Sequence, residues 1–186
     1  MEQNLRRLVK RCVDQGISCT EDDDIQGFLR LHAITLGRKG ASTYLPEDLF
    51  LTFYRRLRAA GLCRLYQARL PTGQLIASQL VLAGGHPVTH TVSAGADPEF
   101  LKQGGSAFLR WKAFESLSAA GFTHNDLTDA ALNSVTHFKS QLGGELVMCP
   151  VVESPGSVRW KLAQSFEGAG ARAKGVVKRA LGRGVE

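Results

Sequence analysis

Long hydrophobic runs are missing from this chain: none approaches the roughly 18 residues that a bilayer-spanning helix requires. The start, Met1-Glu2-Gln3-Asn4-Leu5-Arg6-Arg7, has no apolar stretch behind its charges, so no secretory leader is expected and the chain reads as a soluble, cytoplasmic protein without a membrane span. Cysteine is scarce and scattered. Cys12, Cys19, Cys63 and Cys149 form no C-x-x-C pair and have no histidine at zinc-site spacing, which argues against a metal site and a disulfide framework and leaves buried or incidental thiols. A G-x-S-x-G elbow is also absent. Ser106, His124 and Asp126 therefore do not read as a nucleophilic triad, and Ser106 reads as a helix cap. No internal repeat occurs.

What is present suits one domain with an appendage: 186 residues, 44% of them hydrophobic, enough for a core of ordinary size. Lys and Arg outnumber Asp and Glu by 23 to 17, a net charge of +6. Much of the excess lies at the ends, in Arg6, Arg7, Lys10 and Arg11 and again in Arg172, Lys174, Lys178, Arg179 and Arg183. Such a balance favours anionic partners without choosing among coenzyme phosphates, nucleic acid and an acidic surface.

The spacing of Leu5, Leu8, Val9 and Cys12 predicts a helix over 2–14, stopped by Gly16. A short strand at 17–20 precedes Glu21-Asp22-Asp23-Asp24. These acids lack the later glycine and glutamate of a calcium loop and read as caps for a helix carrying Ile25, Phe28, Leu29, His32 and Leu36. Another helix, through Phe50, Phe53 and Leu57, begins near Pro46 and ends at Gly61. Turn residues at Pro71-Thr72-Gly73 and Gly84-Gly85 then divide 62–94 into an antiparallel meander of three strands.

The stretch from Lys102 to Glu145 carries the chemistry. Lys102-Gln103-Gly104-Gly105-Ser106-Ala107 is a turn of small residues whose backbone N–H groups can approach a pyrophosphate at the positive end of the following helix. An ordinary loop has the same composition. In that helix Leu109, Ala113, Leu117 and Ala120 form an apolar stripe; Arg110, Lys112 and Glu115 lie off it, and Gly121 ends it. A strand at 122–127 and a second helix at 131–142, stopped by Gly143-Gly144, follow. Strands at 145–152 and 157–162 complete about seven, and a basic, Gly- and Ala-rich tail ends the chain as a flexible arm or a short surface helix.

Several phrases together resemble a known family. They are Asn4-Leu5-Arg6-Arg7; Ala68-x-Leu70-x-Thr72-Gly73-x-x-Ile76-Ala77; the run Ser93 to Phe100; Ala119-x-Gly121-Phe122 leading to Asp126; and Phe138-Lys139-x-x-x-Gly143-Gly144-Glu145-Leu146. Over roughly residues 3–152 the chain resembles GNAT acyltransferases, and among them it is most similar to one repeat of the FemAB-like proteins, the Fem-type aminoacyltransferases of peptidoglycan bridges. The resemblance implies an α/β (α+β) fold, a mixed, mostly antiparallel twisted sheet flanked by helices. It divides the chain into a basic helix (1–15), an acyltransferase domain (16–165) and a tail (166–186).

The implied activity is transfer of an acetyl or aminoacyl group to a primary amine, with the sheet splayed between its fourth and fifth strands. The implied carrier is acetyl-CoA or another acyl-CoA, or else aminoacyl-tRNA, with its phosphates on Lys102, Gln103, Gly104, Gly105, Ser106 and Ala107. Lys102-x-x-Gly105-x-Ala107 departs from the commoner family pattern, which opens on Arg or Gln. Lys139 takes the position where many relatives carry a proton-donating tyrosine, and Asp126 is placed to orient Lys139 or the amine; a solvated helix lysine and a capped strand end are the plainer alternatives. The implied acceptor is a peptidoglycan precursor or a small amine. Fem-type enzymes have two such repeats, so a homodimer would restore the pair, and a non-catalytic module binding peptide, protein or nucleic acid such as tRNA is the other reading.

Overall fold

The computed structural model describes residues 1–41, 43, 45–128, 134–148 and 150. The chain divides into two units, Met1–Leu146 and Val147–Glu186, and the architecture below is that of the first. Its elements are α1 (Gln3–Asp14), β1 (Ser18–Glu21), α2 (Ile25–Lys39), α3 (Glu47–Ala59), β2 (Cys63–Arg69), β3 (Leu75–Leu82), β4 (Val88–Ala96), a single 3-10 turn (Pro98–Phe100), α4 (Gly105–Ala119), β5 (His124–Asp126) and α5 (Ser134–Gln141).

Five strands form one sheet in chain order. The first four are antiparallel neighbours and β5 joins β4 in parallel. Residues 75–81 of β3 are buried without alternation, because helices cover both faces of the sheet. On one face Tyr66, Ala77 and Val81 pack with Leu5, Val9 and Cys12 of α1 and with Phe108, Leu109 and Ala113 of α4. On the other, Cys63, Leu65 and Leu80 meet Phe28 of α2 and Phe50 and Tyr54 of α3. Gly73 closes the β2–β3 turn at a positive φ of 86°, a conformation glycine adopts without strain.

The acidic run 21–24 is consumed by the fold. Asp24 caps α2 by accepting from the Gly27 amide at 2.8 Å, and this bond, followed by Arg69 at 3.0 Å, holds its carboxyl below the usual range. Arg58 bridges Asp23 at 2.7 Å and Glu21 at 2.9 Å. Beneath them Gln67, fully buried, donates to the Asp24 carbonyl at 2.7 Å and accepts from Arg69.

Two expectations change. About seven strands were expected and five are found among the described residues: Glu145–Met148 form no strand, and the rest of 145–152, with all of 157–162, lies outside the described residues. Ser106 does not cap α4, whose N-cap is Gly104 in the left-handed region, with no side-chain bond. The tail, the expected domain limit at 165 and the first turn of the 131–142 helix also fall outside the described residues.

Candidate functional site

Pairing between β4 and β5 lasts three rungs, Val88 with His124, Thr89 with Asn125 and His90 with Asp126. Thr89 and Thr91 then engage the Asn125 side chain, at 2.7 and 2.9 Å. Beyond that β4 runs on to Ala96 beside β3 alone, so the two strands part. The β3–β4 ladder slips at the same place: Val81 faces Thr91 and Leu80 faces Ser93, leaving Val92 as a bulge that bends β4. On the β5 side Thr128 turns the chain away at φ 65°, a strained value for a β-branched residue, and its amide donates to Asp126 Oδ1 at 2.7 Å.

Beside the second half of β4, past its pairing with β5, opens a cleft of about 330 Å³. Ala94 to Ala96 form one wall, Ser106, Ala107 and Arg110 of α4 a second, and Ser134, Val135 and Phe138 of α5 a third. Gly105, Ser106 and Ala107 bring the first-turn N–H groups of α4, which a helix leaves without internal acceptors, to this cleft. The glycines themselves answer to packing. A Cβ on Gly104 would lie 2.8 Å from Leu8 of α1, and one on Gly105 would lie 3.2 Å from Ile76. The carbonyls of Lys102 and Gln103 are also taken by α1, through Arg11 at 2.9 Å and the Cys12 thiol at 3.4 Å. The six predicted carrier residues thus sit at the mouth, with Ser106 and Ala107 in the cleft wall and Lys102 exposed.

Asp126 and Lys139 are brought together, though neither lines the cleft; they lie where β4 and β5 separate. Burial alone would raise the Asp126 carboxyl, but the Thr128 amide, His90 and the charge of Lys139 together hold it below its ordinary value. Its second oxygen lies 2.8 Å from His90 Nδ1. An ionised carboxylate only accepts, so Nδ1 carries the proton and, in the neutral ring, Nε2 is left as an acceptor.

His90 was not singled out from the sequence. Its partner is 36 residues away, and only the parallel register of two short strands reveals the pair. His90 faces the α2/α3 side of the sheet, since it opposes Leu82, whereas Ala94 opposes Gln79 on the side of the cleft. His124 is exposed, with its ring Nδ1 2.9 Å from Thr123 Oγ1, and His137 is exposed as well.

Arg110, off the apolar stripe of its helix, lines the cleft with Nη1 closed from solvent and without a partner among the described residues. A separate cavity of about 290 Å³ lies under β5, between Phe114, Leu117 and Leu142. No helix among the described residues is long and apolar enough to cross a membrane.

A mostly antiparallel sheet that opens between its fourth and fifth strands, with a helix N-terminus at the opening, defines a GNAT-like mixed α/β fold. The chain belongs to the acetyltransferase (GNAT) domain family, which it matches over residues 1–140. In structure it is similar to the aminoglycoside antibiotic 6'-N-acetyltransferase AAC(6')-Ih from Acinetobacter baumannii, at 18% identity and a TM-score of 0.59, over 76% of this chain and 99% of that one. It is also similar to FemX, at 14% identity and a TM-score of 0.64, over 76% of this chain and 54% of FemX, so it spans about half the length of that protein. A third similar structure is AAC(6')-Iy in complex with a bisubstrate analogue, CoA-S-monomethyl-acetylneamine, at 15% identity and a TM-score of 0.57, over 76% of this chain and 99% of that one. No curated protein matches the chain in sequence.

Proposed function

We propose that the protein is an N-acyltransferase that moves an acetyl or related acyl group from coenzyme A to a primary amine. The observation that carries this reading is the cleft beside the second half of β4, lined by the first turn of α4, together with the Asp126–His90 pair on the last rung before β4 and β5 part. The residues present fit an acyl carrier: the cleft has three cations on its lining, Arg38, Lys39 and Arg110, no acid, and buried polar atoms that lack partners. When bound, the carrier supplies an activated carbonyl. The amides of Gly105, Ser106 and Ala107, with Lys102 and Gln103 beside them, would hold its phosphates.

The acceptor amine would approach from the α2/α3 face. There His90 Nε2 takes the proton that the nitrogen loses as its bond to carbon forms, and Asp126 stabilises the resulting imidazolium. Lys139 Nζ supplies the proton required by the sulfur as its bond to carbon breaks. The resemblance to Fem-type proteins makes a peptidoglycan precursor one acceptor to test, and the names of the two aminoglycoside enzymes make an amino sugar the other.

The test is calorimetry with acetyl-CoA, followed by thiol release in the presence of each amine. Micromolar binding and turnover that falls about a hundredfold or more in His90→Ala and in Lys139→Ala are expected. Absence of acetyl-CoA binding, with binding of aminoacyl-tRNA instead, would move the carrier to tRNA. Absence of both would leave a non-catalytic binding module, for which the oligomeric state of the free protein becomes the next measurement.

A further inference from the structure

Four buried side-chain nitrogen or oxygen atoms lack partners among the described residues: His32 Nδ1, Gln79 Nε2, Gln79 Oε1 and Arg110 Nη1. The last three belong to residues that line one cleft. Native folds leave few such atoms, and each one calls for a reason, because a buried donor without an acceptor keeps the full desolvation penalty. Arg110 as a whole is half-buried, and a guanidinium nitrogen shut off from water without a partner is costlier still than a neutral donor. Desolvation lowers the pKa of Arg110 to about 10, which leaves it charged at neutral pH.

Among the described residues the fold supplies no counter-ion. Glu115, the acid of α4, is engaged by Lys112 at 2.7 Å and by Trp111 at 2.8 Å. None of the eighteen residues lining the cleft is acidic, and Arg38 and Lys39 add two further cations. Arg110 follows Ser106 by four residues, so both occupy one side of α4, and its side chain leans toward the positive end of that helix. Gln79 is fully buried on β3, directly across from Ala94 of the cleft wall. A guanidinium, a carboxamide and a helix terminus therefore converge on a space that holds no negative charge of its own.

We propose that Arg110 and Gln79 form an oxyanion subsite in this cleft: the guanidinium pairs with a carboxylate or phosphate oxygen of the bound ligand, Gln79 Nε2 donates to the same group and Gln79 Oε1 accepts from a ligand N–H. The proposal rests on the acyl-carrier reading of the cleft and deepens it. The oxyanion has two possible sources, a carboxylate on the acyl group and a phosphate of the carrier, and they differ in what the subsite selects. A carboxylate would make the protein prefer dicarboxylic acyl groups, whereas a phosphate would make Arg110 a general determinant of carrier affinity.

The experiment measures dissociation constants of acetyl-CoA and succinyl-CoA for the full chain and for Arg110→Met, Arg110→Lys and Gln79→Leu, with melting temperatures of the unliganded proteins alongside. Arg110→Met should weaken binding tenfold or more, the size of a lost hydrogen bond to a charged group, and Arg110→Lys should retain part of the affinity. A loss confined to succinyl-CoA assigns the oxyanion to the acyl carboxylate; an equal loss for both assigns it to the phosphate. Unliganded Arg110→Met should melt no lower than the parent, because a charged group with a closed-off, unpartnered nitrogen has been removed. A marked drop in melting temperature would reveal a partner within the fold and overturn the proposal, as would unchanged affinity for both thioesters. If the parent binds neither thioester, the carrier reading fails and the subsite is judged with inorganic pyrophosphate and succinate: a melting shift in the parent that disappears in Arg110→Met upholds it, and no shift in the parent overturns it.

Discussion

Two buried glutamines on adjacent strands meet opposite treatment. Gln67 on β2 and Gln79 on β3 are both fully buried, and each lies near an arginine and a helix start. Around Gln67 every group is used: its nitrogen donates to Asp24, its oxygen accepts from Arg69, and Arg69 reaches Asp22 and Asp24. Around Gln79 neither side-chain atom has a partner among the described residues, and Nη1 of Arg110 is equally idle there. Polar groups that satisfy one another hold the chain together; polar groups of the same kinds left unsatisfied in a cleft are held ready for something that is not part of the chain. The acidic corner is thus architecture and the cleft is apparatus, though a hydropathy profile scores their side chains alike.

The largest effect expected separates the wall of the cleft from its floor. A Cβ on Gly95 would lie 2.5 Å from the His32 nitrogen and the Leu31 carbonyl carbon of α2, backbone atoms that cannot step aside. Gly95→Ala should therefore lower the unfolding free energy by about 3 kcal/mol or more in urea titration. A change under half that size would show that α2 slides freely over β4. The next two measurements set the glutamines against each other. Gln67→Leu strands the Asp24 carbonyl and removes one acceptor of Arg69, and should cost about 1–3 kcal/mol, whereas Gln79→Leu removes no hydrogen bond found among the described residues and should stay within about 1 kcal/mol of the parent. Equal losses would erase the distinction.

The smallest effect comes from His32, 5% exposed, whose Nε2 meets Ser93 Oγ at 2.7 Å. Burial, and then the charge of Lys39, holds its pKa below the ordinary 6.5. As pH falls through about 6.5 the unfolded chain takes up a proton that the folded chain refuses, so stability should decline in the window between that value and the lower folded one. His32→Gln should flatten the slope in denaturation at pH 7 and pH 5.5; an unchanged slope would place the titration elsewhere.

Much of the frame was legible because it is written in local signals. Helix spacing placed α1 and α3 to within a residue or two and the start of α2, whose last turn runs on to Lys39 past the expected end near Leu36, and Pro71-Thr72-Gly73 with Gly84-Gly85 marked the meander. Asp126 and Lys139, drawn from the family resemblance, do lie close enough for one to act on the other's charge. What stayed hidden depends on groups distant in sequence. His90 gains its meaning from a parallel register that no turn residue announces. Arg110 is off the apolar stripe of its helix, which normally means solvent, and only the arrival of α5 and β4 beside it makes that side a cleft. The glycine pair also answers to packing that the sequence does not announce, since Leu8 and Ile76 leave little room for a side chain there.

The bulge at Val92 resets the parity of β4. Ahead of it Thr89 and Thr91 point to the face carrying α1 and α4; behind it the even-numbered Ala94 and Ala96 take over that face, while Ser93 and Gly95 turn toward α2. Were Val92 to take a regular place in the ladder, the odd positions would keep the cleft side throughout, and the methyl group of Ala94 would be driven at the helix backbone that only a glycine tolerates. A single inserted residue thus phases the whole second half of the strand, allotting its two smallest methyl-bearing side chains to the cavity and its hydrogen atom to the helix. In a sheet of this kind, counting residues is already a form of shaping.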